Sequence, residues 1–536
     1  MTPPTATGSR RRAAAEPEVE LLTVTNPATG EVAGEVPIAD ADAVAAAVAR
    51  ARGAQPAWQA LGCDGRAHVL DAFRQRLSKH ADLVLDVLCA EAGKPREDAQ
   101  ADLTLVVSWA KYWADHAGDL LRDETVTSFS PFVIGRRNVI VRDPVGVVGV
   151  IGPWNVPLTL TVGDALPALM AGNAVVIKPS ETTPLSADFV AKLWLEAGGP
   201  VDVLQVVHGR GETGGALVDE VDYVMFTGSV ATGKKVAARA IETLTPYSLE
   251  LGGKDAMIVC ADANLERAAN AAAYYGLFNA GQICMSVERI YVEEAVYDEF
   301  VDRLVDTVST LRQGQAGGVG QVDLGAVIHP PQRTIVQAHV DDALAKGARA
   351  LTGAAATPDM GPGDFFPPTV LVDVDHTMDC MTEETFGPTL PVMKVADVDE
   401  AVRLANDSPY GLTASVWTSD LDRGEAIARR VDAGTVSIND ALTHLAAADL
   451  PFGGWKSSGM GSRNGPDGIR KYTRTKVVQV NRLSLGRDVH WFPYKSSTSN
   501  VLAKATGVLY GRPALRVTSS APVTAVKNIV GRIRGS

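Results

Sequence analysis

Short apolar, β-branched runs alternate with amphipathic stretches between about residues 144 and 260, the pattern of β-α units feeding a parallel sheet. Val147 to Ile151, Ala174 to Ile177 and Val203 to Val207 are brief and apolar enough to be buried strands, each bounded by Gly or Pro. Between the last two, Pro184 precedes Leu185, Phe189 and Leu193, and Gly198, Gly199 and Pro200 follow, so a helix with Pro in its first turn and Gly past its end is predicted. Residues 40 to 120 read as mostly helical, and 255 to 440 alternates again, which implies a second α/β domain. The Gly- and Pro-rich stretches 313 to 323 and 353 to 366 read as surface loops inside that domain, and no internal repeat is visible. The long uncharged run Val145 to Gly163 is interrupted by Gly146, Gly149, Gly152, Pro153 and Pro157. It therefore reads as a buried strand running into a turn and not as a membrane helix.

Length and composition narrow the class. A chain of 536 residues leaves room for two to four structural units, and 46% apolar with 21% charged residues is an ordinary globular balance. The formal net charge of −13 argues against a general nucleic-acid binder, which needs cations to displace counterions from phosphates. Five scattered cysteines, Cys63, Cys89, Cys260, Cys284 and Cys380, show no CxxC pair and no zinc-site spacing, so a reducing cytoplasm and no metal site are expected. Residues 1–20 lack the apolar stretch of a secretory signal and read as a flexible arm. The tail 487–536 carries eight Lys or Arg against one acid, Asp488, and is +7 on a body of −20. With Trp491, Phe492 and Tyr494 beside these bases, it suits either packing on protein or peripheral contact with a membrane surface.

Three clusters carry candidate chemistry. After the strand-like Tyr223 to Phe226, the run Thr227-Gly228-Ser229-Val230-Ala231-Thr232-Gly233-Lys234 opens a helix. Its outer glycines match the first and third of GxGxxG, while Val230 replaces the middle one that lets a backbone touch pyrophosphate. Lys178, Pro179, Ser180 and Glu181 follow a strand, where an ammonium and a carboxylate suit the hydroxyls of a ribose or simply pair with each other. Glu250-Leu251-Gly252-Gly253-Lys254 is followed by Gly281-Gln282-Ile283-Cys284-Met285.

With this third cluster the chain strongly resembles the aldehyde dehydrogenase superfamily, from about residue 21 to 486. The other ordered motifs are Pro153-Trp154-Asn155, Lys178-Pro179-Ser180-Glu181, Phe226-Thr227-Gly228-Ser229, Glu383-Glu384-Thr385-Phe386-Gly387-Pro388 and Pro451-Phe452-Gly453-Gly454. The resemblance implies an α/β fold with two parallel-sheet domains. The cofactor domain would take 21–121 and 141–252, the catalytic domain 253–467, and a bridging β element 122–140 and 468–486. Such strands complete a sheet in a partner, so a homodimer or homotetramer is expected.

The same resemblance places Cys284, Glu250, Asn155 and Lys178 in the catalytic group. Cys284 would attack the aldehyde as a thiolate, favoured by a partly open, electropositive setting beside a nicotinamide. The Asn155 amide and the Cys284 N–H would hold the oxyanion, and Glu250 would activate water to hydrolyse the thioester. NAD or NADP would contact Ile151, Trp154, Lys178, Glu181, Phe226, Gly228, Ser229, Gly233, Leu251, Glu384 and Phe386. Glu181, facing the 2′-hydroxyl, favours NAD. Val156, Leu160, Gly163, Ile283, Met285 and the loop 441–450 would line the aldehyde tunnel, where the small Val156 and Gly163 leave room for a medium-to-large hydrophobic or aromatic aldehyde. The stretch Val287-Glu288-Arg289 also resembles a bacterial subgroup of succinate-semialdehyde dehydrogenases, whose substrate wants a cation in the tunnel, where the loop offers only His444. Transfer to coenzyme A is the remaining alternative, disfavoured by Glu250.

Overall fold

The apolar runs of the first half assemble into a six-stranded sheet because each buries both faces, as crossover helices on either side require. In the computed structural model, residues 20–128, 130, 133, 135–355, 362–482, 486–488 and 490–510 are described. The sheet order is Gly459–Met460, Tyr247–Glu250, Tyr223–Thr227, Val147–Ile151, Ala174–Lys178, Leu204–Val206. All neighbours are parallel except the two-residue edge Gly459–Met460, which runs antiparallel to Tyr247–Glu250. Helix Leu185–Glu196 ends before Gly198 at φ +84°, and helix Val230–Glu242 starts directly after Ser229. From the strand Val147–Ile151 the chain builds outward on one side, then returns to build on the other. The sheet thus has a switch point at the carboxyl ends of Val147–Ile151 and Tyr223–Thr227, where open α/β sheets hold ligands.

The second sheet has seven strands in the order Arg349–Ala350, Thr369–Val372, Thr389–Val395, Val287–Glu293, Asp255–Val259, Thr413–Trp417, Thr435–Ile438. Only the edge Arg349–Ala350 is antiparallel. The chain leaves the first sheet at Glu250 and enters the second at Asp255. The carboxyl edge of one sheet is therefore joined by four residues to the amino edge of the other. Helices Ala41–Ala60, Gly62–Lys79, Ala81–Ala92 and Arg96–Leu121 carry the N-terminal helical region, with Trp58, Phe73, Trp109 and Trp113 buried in the core against the first sheet. The run Val145 to Gly163 contains the expected strand, then a loop and a π-helical turn, Thr159–Gly163, that leads into helix Asp164–Met170.

These elements form one compact unit, residues 1–121 and 144–474, of which the described part begins at residue 20. The second unit, 122–143 and 475–536, holds most of a three-stranded sheet of Thr473–Asn481, Arg136–Pro144 and Glu124–Val126, and the helix Ser496–Tyr510. Within it Arg136 pairs with Asp488 at 2.5 Å, so the one acid of the tail is engaged. Trp491, Phe492 and Tyr494 are exposed. Most of the expected N-terminal arm (1–19), part of the loop 353–366, and Arg512, Arg516, Lys527, Arg532 and Arg534 of the tail lie outside the described residues. Among the described residues no helix is long and apolar enough to cross a membrane.

Candidate active site

Two glycines decide where the site can form. A Cβ built on Gly253 would lie 2.3 Å from the carbonyl oxygen of Cys284, and one on Gly252 would lie 2.5 Å from the Glu384 carboxylate. No other residue lets the segment after Glu250 pass so close to both. The Gly253 N–H donates to Glu384 Oε1 at 3.0 Å, which fixes the approach. Gly281 closes the third side, since its Cβ would meet the Gly387 carbonyl at 2.2 Å. Glu250, Cys284 and the segment Glu384 to Gly387 are thereby clamped together at the amino edge of the second sheet.

The loop that carries Cys284 is strained. Asn279, Ala280 and Gly281 all have positive φ (55°, 55° and 72°), two of them without the freedom of glycine. Buried polar contacts hold it. Asp98 accepts from the Asn279 N–H at 3.1 Å, the Asn279 amide donates to the Asn155 carbonyl at 3.0 Å, and Gln282 Oε1 accepts from the Ile328 N–H at 2.9 Å. Asn155 Nδ2 donates to the Gln282 carbonyl at 2.8 Å, an acceptor that fixes which way the amide points. Asn155 Oδ1 is buried without a hydrogen-bond partner. Lys94 anchors the same residue from the helical region through Nζ to its carbonyl at 2.6 Å. Asp102 accepts from Leu158 and Thr159 N–H and from Thr159 Oγ1, which pins the turn behind Asn155.

Cys284 itself is half-buried, and loss of hydration pushes its thiol up to about 12, with Arg463 acting against that rise. Among these side chains desolvation outweighs the one strong cation in its effect on the sulfur. Burial likewise pushes Glu250 up to about 7, opposed by Arg463 and Lys471. Neither Glu250 oxygen has a hydrogen-bond partner, and Arg463 Nη1 stands 3.9 Å from Oε2. Burial also lifts Glu384 to about 8.

On the other side of the cleft, the expected cofactor residues lie at the carboxyl ends of the first sheet's strands or on the segments beside them. Ile151 ends one buried strand and Phe226 is next to the end of another, and Trp154 and Phe386 meet edge to face with ring centroids 5.3 Å apart. Phe386 holds φ +53°, with its N–H bonded to Glu288 Oε1 at 2.9 Å. Ser229 caps helix Val230–Glu242 by accepting from the Thr232 N–H, and it is exposed. The Gly233 Cβ would strike Leu251 at 2.5 Å, so that glycine serves helix–strand packing. Lys178 is buried, which lowers its pKa. Its Nζ donates to the Pro179 carbonyl at 2.8 Å and stands 3.7 Å from Glu181, a half-exposed carboxylate. A helix N-terminus at the switch point, a neighbouring ammonium–carboxylate pair and two aromatic rings form a donor set that fits NAD(P).

The tunnel residues divide. Ile283 and Met285 form an apolar cluster with Leu412 and Phe452, against which Val156 and Leu445 pack. Leu160 is buried outside that cluster, and Gly163 gives no free space, because its Cβ would meet the Trp109 indole at 3.1 Å. The room expected at Gly163 is thus taken by the core. His444 stacks on Phe452, and burial drops it to about 4, so it is neutral. Arg289 turns away, with Nε on the Lys254 carbonyl and its Nη atoms on Tyr291 Oη and the carbonyls of Leu404 and Ala405. Asp164, Arg463, Lys471, Lys94 and Asp98 were not marked by any motif, since their partners are distant in sequence. The spacing of Asp98 and Asp102 on the otherwise apolar buried face of helix Arg96–Leu121 was the available signal.

The Aldehyde dehydrogenase family profile matches residues 14–478. A Mycobacterium ulcerans (strain Agy99) protein with the provisional name succinate-semialdehyde dehydrogenase [NADP(+)] 2 is 44% identical over 85% of this chain and 88% of its own. The 4,4'-diapolycopene aldehyde oxidase of Methylomonas sp is 37% identical over 92% of each. Among solved structures, a Mycobacterium tuberculosis aldehyde dehydrogenase complexed with NAD+ superposes with a TM-score of 0.82 at 37% identity, covering 89% of this chain and 97% of that one. An E. coli NADP dependent enzyme superposes with a TM-score of 0.83 at 34% identity, covering 86% and 95%.

The glycine clamp is testable by itself. Gly253→Ala forces the Cys284 carbonyl to move, and it is expected to destabilise the fold by about 1–3 kcal/mol, the usual cost of overpacking. Denaturant unfolding of the variant beside the wild type measures it, and an unchanged midpoint would mean that the clamp yields freely.

Proposed function

The chain belongs to the aldehyde dehydrogenase family, and on that premise we propose that it oxidises a medium-to-large hydrophobic or aromatic aldehyde to the carboxylic acid with NAD(P)+. The observation that carries the substrate class is the apolar enclosure of Cys284, in which the charged side chains nearby are already engaged. Arg289 donates to backbone carbonyls, Arg463 is held by Asp164, and His444 is neutral. A relative named as a 4,4'-diapolycopene aldehyde oxidase agrees with this reading. Succinate semialdehyde is the second reading, favoured by the name of the Mycobacterium ulcerans relative. Coenzyme A acylation is disfavoured, because a buried carboxylate with two free oxygens suits a water better than a thiol cofactor.

In this reading the Cys284 thiol passes its proton to water as sulfur bonds to the aldehyde carbon, and the oxyanion that develops is met by the Asn155 amide and the Cys284 N–H. Asn155 is suited to this because the contact to Gln282 uses one of its two amide hydrogens and aims the group. Collapse of the oxyanion expels hydride and leaves a thioester on Cys284. Bound NAD(P)+ supplies the hydride acceptor. Glu250 then takes a proton from water, whose oxygen attacks the thioester carbon; the C–S bond breaks and the acid leaves.

Initial rates across aliphatic, aromatic and carboxylate-bearing aldehydes test the substrate class. The highest kcat/KM is expected with apolar aldehydes, and a maximum at succinate semialdehyde would defeat it. In the same assay Cys284→Ser should form no reduced cofactor, while Glu250→Gln should form about one equivalent per site and then stop.

We also propose that NAD is preferred, because Glu181 would accept from a 2′-hydroxyl and repel a 2′-phosphate; the NADP in relatives' names weighs the other way. Glu181→Gln should raise the NADP-to-NAD ratio of kcat/KM on the order of tenfold, the effect of about 1.4 kcal/mol. An unmoved ratio would place Glu181 away from the 2′ position.

A further inference from the structure

Behind Glu250 lies a cluster of buried charges that the proposed chemistry does not yet use. Arg463 donates Nε and Nη2 to the two oxygens of Asp164 at 2.7 and 2.9 Å, and Nη2 also to Thr227 Oγ1 at 2.7 Å. Nη1 faces Glu250 Oε2 at 3.9 Å, beyond hydrogen-bonding range. The side chains of Asp164, Arg463 and Glu250 are 2%, 4% and 3% exposed. Lys471 completes the group, with Nζ 3.3 Å from Met225 Sδ and 4.9 Å from the centre of the Tyr472 ring, while Tyr472 Oη donates to the Asp164 carbonyl at 3.3 Å. The charged groups acting on Glu250 are thus Arg463 and Lys471 in favour of its ionised form and Asp164 against it.

The geometry separates attraction from hydrogen bonding. A buried carboxylate left alone would take up a proton. A carboxylate gripped by the fork of a guanidinium stays ionised but loses both its basicity and its lone pairs. Here Asp164 occupies the fork, so Arg463 acts on Glu250 through its charge, and both Glu250 oxygens stay unpartnered. With Lys471 protonated, the four groups sum to zero when Glu250 is ionised.

We infer that Arg463, turned from Glu250 by Asp164, is a positioning residue for thioester hydrolysis: it keeps Glu250 a carboxylate whose oxygens remain open to water. This rests on the reading of Glu250 as general base. In the step concerned, the water oxygen bonds to the thioester carbon, the water proton passes to Glu250, and the C–S electron pair returns to Sγ. Arg463 keeps its own protons throughout.

The test uses the full-length protein carrying Arg463→Met, Arg463→Lys, the charge-neutral pair Asp164→Asn with Arg463→Met, or Glu250→Gln. Three readouts are taken: the burst of reduced cofactor, the steady-state rate against pH, and the mass of the acyl adduct on Cys284 after quenching. Arg463→Met should keep the burst amplitude and accumulate the adduct. The acid limb of its kcat should move up by about one pH unit, the lower end of what a lost opposite charge at this range produces. Near neutrality that appears as a drop of up to about tenfold. Arg463→Lys should restore most of the limb, and the charge-neutral pair should shift it in the same direction as Arg463→Met. If Arg463→Met does not fold, the charge-neutral pair decides. An unmoved limb with no adduct overturns the inference. Glu250→Gln turning over at the wild-type rate would instead defeat the general-base reading, and the two failures are distinguishable.

Discussion

The site depends on one close backbone approach: the segment from Glu250 to Asp255 crosses directly over the Cys284 carbonyl, with room for a hydrogen at Gly253 and nothing larger. That segment also joins the last parallel strand of the first sheet to the strand Asp255–Val259 of the second. A small displacement here moves Glu250 relative to Cys284 and the two sheet edges relative to one another. Glu384 reads the same segment from the far side through the Gly253 N–H. Cys284, Glu250 and the Glu384 carboxylate are therefore set by one close contact, and positioning of that kind is where enzymes gain much of their rate.

A second constraint is electrostatic. The cleft buries Lys94, Asp98, Asp102, Asp164, Glu250, Arg463, Lys254 and Glu288, a cost that is offset only because each of the others besides Glu250 has a hydrogen-bonded partner. Lys254 and Glu288 show the structural use: paired at 2.6 Å, they leave Glu288 to accept from the Thr385 and Phe386 N–H groups and so hold the strained Phe386. Glu250 is the exception, with two buried oxygens unsatisfied. That unpartnered carboxylate is the group to which the proposed function gives the role of general base.

The strands, the helix after Pro184 and the two-sheet plan were legible because apolar runs of four or five residues bounded by Gly and Pro leave few alternatives. Cys284 and Glu250, the proposed nucleophile and base, were legible only through the resemblance to a family. From spacing alone Glu250 reads as a surface carboxylate, whereas it is buried. What could not be read were interactions closing over long stretches of chain. Arg463 meets Asp164 across 299 residues and Asn279 meets Asp98 across 181. Gly163 misled for a related reason: a missing side chain suggests space, but Trp109, on a helix more than fifty residues earlier, fills it.

The walls around Cys284 bear on the substrate through the same long-range pairing. A distal carboxylate entering the Ile283, Met285, Leu412 and Phe452 cluster would lose its hydration and need a cation in exchange. Arg289 cannot turn to meet it without abandoning the Lys254, Leu404 and Ala405 carbonyls, which would then be buried without a donor. Arg463 cannot meet it without releasing Asp164 beside Glu250. Either exchange spends one buried pair to make another and gains little, so on the proposed reading the pocket would discriminate by hydrophobic burial, where each added buried methylene contributes about 0.8 kcal/mol. The proposed preference for apolar length over charge thus follows from the commitment of Arg289 to backbone carbonyls and of Arg463 to Asp164.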